Sequence, residues 1–176
     1  AKLGVKAGIP VTVGTNDVAV AHMGAGNSRS GEMMDTAGSS EMISILTDTP
    51  AVNPHYYLRN AVLPGLWQIY STTAGGFAVD WFYKEFCREM TEEEFYGRYI
   101  LEAVEKNLQN RDISFAPYLT GDRQSLQKKT ASFEGLTLAS TRDQMLAALL
   151  RAMQGVLRTT IEEAKEVIPL SGDIKI

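Results

Sequence analysis

The residues with chemistry to offer fall in four short stretches. The first is Gly14-Thr15-Asn16-Asp17, where an apolar run from Ile9 to Val13 meets a polar corner and then a helical run to Gly24. A carboxylate at the carboxyl end of a strand lies where open α/β sheets put their ligands, and Asp17 there could serve as a general base. Asn16 or Asp17 could equally cap the helix, since either accepts a bond from a free N–H and a negative charge suits the helix dipole. The second stretch, Gly38-Ser39-Ser40, reads as a hairpin turn whose clustered N–H groups and two hydroxyls offer a seat for a phosphate. Many such turns also close a hairpin with nothing bound. The third is the pair Gly75-Gly76 between a strand and a helix, which permits close approach of backbone to a ligand at the helix's positive end, or simply tight packing. The fourth runs from Phe115 to Arg123. Arg123 could bind an anion or a partner chain, or form a surface ion pair with Asp122 or Glu134. His22 and His55 have no Cys or carboxylate at ligand spacing, so no protein-built metal site is expected.

The elements that must position these stretches can be read in order. Pro10 near the start of Ile9–Val13, with Val11 and Val13, suits a short strand leading to Asp17. Glu32–Ala37 and Met42–Leu46 read as the two arms of the hairpin, Leu66–Ser71 as a further strand, and His55–Leu58 as an edge strand. Phe77, Trp81, Phe82 and Phe86 give helical spacing around Val79–Arg88. Thr91 with Glu94 and Thr141 with Gln144 are capping boxes. The first opens a helix through Phe95, Tyr99, Val104 and Leu108. The second opens a long core helix whose stripe is Met145, Leu146, Leu149, Leu150, Met153 and Leu157. Gly172 to Ile176 reads as a strand beginning after a turn.

Composition narrows the class. With 176 residues, 44% hydrophobic and 22% charged, the chain is long enough for one ordinary globular domain. A net charge of −4 without a basic run argues against a nucleic-acid or anionic-membrane surface. The one cysteine, Cys87, excludes an internal disulfide framework and fits a reducing compartment, and no apolar run reaches the roughly 20 residues of a membrane span. A cytoplasmic location is expected. Both ends read as cut from a longer chain.

Taken in order, the stretches resemble the carboxy-terminal domain of the FGGY carbohydrate kinases, an α/β fold of the actin and ribonuclease H-like kind with a mixed sheet flanked by helices. Val13-Gly14-Thr15-Asn16-Asp17 stands where the family has a strand and Gly-x-x-Asp, and Gly38-Ser39 where it has a Gly-Thr hairpin. Ala74-Gly75-Gly76 with Asp80-Trp81 matches an Ala/Gly-Gly turn and helix. Phe115 to Arg123, Gly135-Leu136-Thr137-Leu138 and Thr141 onward match Phe-x-Pro-Tyr-x-x-Gly-Glu-Arg, a Gly-Leu-Thr segment and a long helix. Ser39 replaces the usual Thr, Glu41 a small residue, and Asp122 the commoner Glu. The resemblance implies ATP-dependent phosphorylation of a sugar hydroxyl, with a pentulose such as xylulose or a related ketose or polyol as substrate. It makes Asp17 the base, sets Gly38, Ser39 and Gly76 against the phosphates, and brings Asp80 to the nucleotide or its Mg²⁺ shell. It also implies an amino-terminal kinase domain with a phosphate loop, an adenine-side loop beyond Ile176, and room for a homodimer. The rival reading is a non-catalytic actin-like scaffold or ligand-sensing module.

Overall fold

A computed structural model describes residues 4–11, 14–122 and 127–176. Helix α1 (Asp17–Gly24) leads into a hairpin of β1 (Met33–Ala37) and β2 (Glu41–Thr47), followed by β3 (Tyr57–Asn60) and β4 (Trp67–Thr73). Then come α2 (Gly76–Phe86), α3 (Glu92–Glu94), a π-helical turn over Phe95–Tyr99, α4 (Ile100–Lys106), the ribbon β5 (Ser114–Ala116) and β6 (Ser132–Glu134), α5 (Arg142–Lys165) and β7 (Ile174–Lys175).

The main sheet has the order β3-β4-β2-β1-β7, antiparallel except for β1 with β7. The parallel pair is made possible by α5, which crosses between the two strands. The register puts Met33, Ile45 and Ile69 on one face, where they join Ala164 of α5 and Ile168 just beyond it in a core. Ser44, Gln68, Tyr70 and Arg59 share the opposite face with α1. A second core gathers Phe82, Phe95, Ala103, Leu146, Leu149 and Met153 between α2, the π turn, α4 and α5.

Both expected capping boxes form, at Thr91 with Glu94 and at Thr141 with Gln144. The edge strand and the closing strand form as well, although β3 begins two residues later than expected, at Tyr57, and β7 covers two residues. One expectation fails. Ile9–Val11 form no strand, and Val11 is 92% exposed, while Val13 lies outside the described residues. A strand is stable only when paired into a sheet. No strand of either sheet pairs with this segment among the described residues.

Candidate active site

Asp17 occupies the first turn of α1, exposed to solvent. The cap is Asn16, in extended conformation, whose Oδ1 accepts the Val18 N–H at 3.1 Å. One carboxylate oxygen of Asp17 also accepts that N–H, at 2.9 Å. Of the two capping candidates, the sequence-level tie resolves to Asn16. The position thus keeps a carboxylate that the helix does not need as its cap.

At the turn between β1 and β2, the hairpin tip Gly38-Ser39 is exposed and lies against the start of α2. Gly76 N–H donates to the Gly38 carbonyl and Phe77 N–H to the Ser39 carbonyl, each at 2.9 Å. Gly75 adopts φ 51°, and a Cβ there would stand 2.4 Å from the Glu41 nitrogen; one on Gly76 would stand 2.8 Å from the Gly38 oxygen. The Gly-Gly pair therefore serves close packing between hairpin and helix. It does not leave the helix's positive end open, because hairpin carbonyls occupy its first donors. The hydroxyls of Ser39 and Ser40 make no hydrogen bond among the described residues.

A groove of about 320 Å³ opens beside this junction, lined by Gly38, Glu41, Gly76, Val79, Met153 and Gln154 among others. Glu41, from the first position of β2, accepts long bonds from Thr73 Oγ1 at 3.4 Å and Gln154 Nε2 at 3.5 Å. Burial, and then the nearby charge of Asp35, push its carboxyl above the ordinary range. Asp35 is raised too, by burial, and its Oδ1 is buried without a partner. Sequence reasoning noted Glu41 only as a departure and passed over Asp35. The signal was there in β1, where an acid alternates onto the same face as the core residue Met33.

Asp80 sits on α2 one turn before Lys84 and forms an ion pair with it at 2.6 Å. Its carboxylate is thus engaged on the helix surface and is absent from the groove lining. Arg123 lies outside the described residues. Its neighbour Asp122 pairs with Lys129 at 2.7 Å, and the Lys129 ammonium stands 4.9 Å from the Tyr118 ring centroid. No group of three His, Cys, Asp or Glu side chains among the described residues could hold a metal ion, and no helix among them is long and apolar enough to cross a membrane.

This arrangement of sheet, crossover helix and hairpin is found in solved sugar kinases. The chain is similar to xylulose kinase from Rhodospirillum rubrum, with TM-score 0.75 and 24% identity over 93% of this chain and 33% of that one. It is also similar to Plasmodium falciparum glycerol kinase with ADP, at TM-score 0.68 and 17% identity over 90% of this chain and 32% of that one. Gluconate kinase from Lactobacillus acidophilus gives TM-score 0.57 and 22% identity, covering 73% of this chain and 26% of that one. The chain spans about a third of the length of these kinases. No protein-family model and no curated protein matches the sequence. The fold is that of the FGGY carbohydrate kinases, an actin-like and ribonuclease H-like mixed sheet flanked by helices, as the motif order led one to expect.

Proposed function

We propose that this chain is the carboxy-terminal domain of an FGGY carbohydrate kinase and supplies the base and part of the nucleotide site for phosphorylating a sugar hydroxyl. The observation that carries the reading is Asp17, an exposed carboxylate on a corner whose capping Asn16 performs, in a fold shared with three kinds of sugar kinase. Phosphoryl transfer asks mainly for positioning and charge stabilisation. Asp17 would accept the proton of the attacking hydroxyl.

Glycerol kinase with ADP supports a nucleotide as the second ligand. When bound, ATP with Mg²⁺ supplies the phosphoryl group and neutralises its developing charge. Glu41 in the groove lining, with the charge of Asp35 near it, disfavours an anion there, so on this reading the phosphates belong on the exposed tip of the hairpin, at Gly38 and the Ser39 hydroxyl, with Gly76 holding that tip in place. Asp80 fits a role toward Mg²⁺ only by exchanging Lys84 for the cation. Mg²⁺ keeps waters and leans on phosphates, so the want of a three-ligand protein cluster among the described residues is compatible with it. The likeness to xylulose kinases supports a ketose such as xylulose, with the rest of the sugar pocket in an amino-terminal domain that closes over it.

The test is Asp17→Asn in the complete kinase, which keeps size and polarity but removes the proton acceptor. Turnover should fall roughly a hundredfold to ten-thousandfold, about 3 to 5 kcal/mol, with the melting temperature unchanged. A variant that retains most of its turnover overturns the base assignment.

A further inference from the structure

Arg59 belongs to the edge strand β3 yet reaches the corner that carries Asp17. Three contacts determine where its guanidinium goes. Its Cζ lies 4.3 Å from the Tyr70 ring centroid, and Tyr70 is itself stacked on Tyr57 at 5.2 Å, which fixes the plane of the fork. Its Nε–H donates to Gln68 Oε1 at 2.7 Å, which fixes rotation in that plane, and Gln68 is fully buried. With plane and rotation set, Nη1 donates to Asn16 Oδ1 at 3.1 Å. That same oxygen accepts the Val18 N–H and caps α1.

The remaining donors are poorly served. Arg59 Nη2 and Gln68 Nε2 are both buried without a partner. A half-buried charge with an unmet buried donor is a poor way to gain stability, and apolar replacements of such groups are often neutral or better. What an apolar side chain could not do is hold Asn16.

Resting on the kinase reading above, we infer that Arg59 is a positioning residue for the proposed base: it fixes the cap Asn16 and thereby the location of Asp17. The arrangement needs the fork of an arginine. A lysine offers one compact charge and cannot satisfy Gln68, the Tyr70 face and Asn16 together. A displacement of about 1 Å at a reacting group can cost on the order of a hundredfold in rate.

The test compares Arg59→Met and Arg59→Lys with the wild-type chain by amide hydrogen exchange, and in the complete kinase by steady-state kinetics. In both variants the Val18 amide should exchange roughly fivefold faster, as for a weakened cap, while amides in α5 keep their protection. In the kinase, kcat should fall about a hundredfold with KM for ATP unchanged. Lysine should not rescue it. Unchanged Val18 exchange overturns the inference whatever the turnover, as does a general rise in exchange through α5 or full turnover in Arg59→Met. Full turnover in Asp17→Asn overturns the base reading alone, and Val18 exchange still decides whether Arg59 holds the corner.

Discussion

Acid should weaken this fold through His22. The ring is 1% exposed, between α1 and the sheet. Asn27 Nδ2 donates to its Nδ1 at 3.1 Å and to the Met33 carbonyl at 3.1 Å, so the ring proton sits on Nε2 and is donated to Ser44 Oγ at 2.8 Å. Ser44 passes its own proton to the Met34 carbonyl at 3.4 Å. Every acceptor in this relay is used, and a proton added at Nδ1 would face the Asn27 N–H. Burial first, and the Arg59 charge second, lower the His22 pKa from 6.5 to about 4, against a smaller pull upward from Glu32. The unfolded chain therefore takes up its proton before the folded one does. The contribution is complete above pH 6.5 and is lost progressively as pH falls toward 4. For one such group the loss by pH 5 is about 2 kcal/mol. Asp35 and Glu41, whose pKa values are raised, act in the opposite sense in the acid range, because the folded state then binds their protons first. A subtraction removes them. Urea unfolding of the wild-type chain and of His22→Gln at pH 7 and pH 5 should show the wild-type advantage shrinking by about 2 kcal/mol. If the two proteins lose stability in parallel, His22 is not the acid-sensitive group and the reasoning fails.

Two further substitutions test how the proposed site is built. Gly75→Ala must adopt φ 51° and push a Cβ against the Glu41 nitrogen, so it should cost about 3 kcal/mol in denaturant unfolding; a loss under about 1 kcal/mol would show that hairpin and helix are not in rigid contact. Thr141→Ala removes the cap of α5, whose side chain accepts the Gln144 N–H at 3.3 Å, and should cost about 1 kcal/mol. Thermal scans of both variants would detect losses of that size, since 1 kcal/mol moves the midpoint by roughly 2 to 4 °C in a domain of this length.

Much of this architecture was legible because its signals are local. Thr141-x-x-Gln144 and Thr91-x-x-Glu94 specify helix starts through bonds made within four residues, and in the expected stripe Leu146, Leu149, Met153 and Leu157 are buried while Met145 and Leu150 are half-buried at its margins. The hairpin Gly38-Ser39-Ser40 likewise follows from turn residues between two strand-like runs. What failed was non-local. Ile9–Val11 have strand-like composition, but a ladder needs a neighbour, and nothing in the segment itself tells whether one is present. The roles of Asn16 and Asp17 could not be separated either, because the choice of cap is influenced by Arg59, more than forty residues away in sequence.

The same distinction bears on the phosphate seat. From sequence, Gly75-Gly76 reads either as the open positive end of a helix or as tight packing, and Gly38-Ser39-Ser40 either as a seat for a phosphate or as a plain hairpin turn. In the fold the two cannot both be free, since the hairpin carbonyls already accept the N–H groups of Gly76 and Phe77. An anion brought to α2 would have to displace Gly38 and Ser39 oxygens from their bonds, whereas an anion brought to the far side of the hairpin meets serine hydroxyls that have no partner among the described residues. The carboxylate of Glu41 in the groove next door, held by only two long bonds, pushes in the same direction. Under the proposed kinase reading, charge and hydrogen-bond accounting thus favour the hairpin tip over the helix end as the seat of the phosphates.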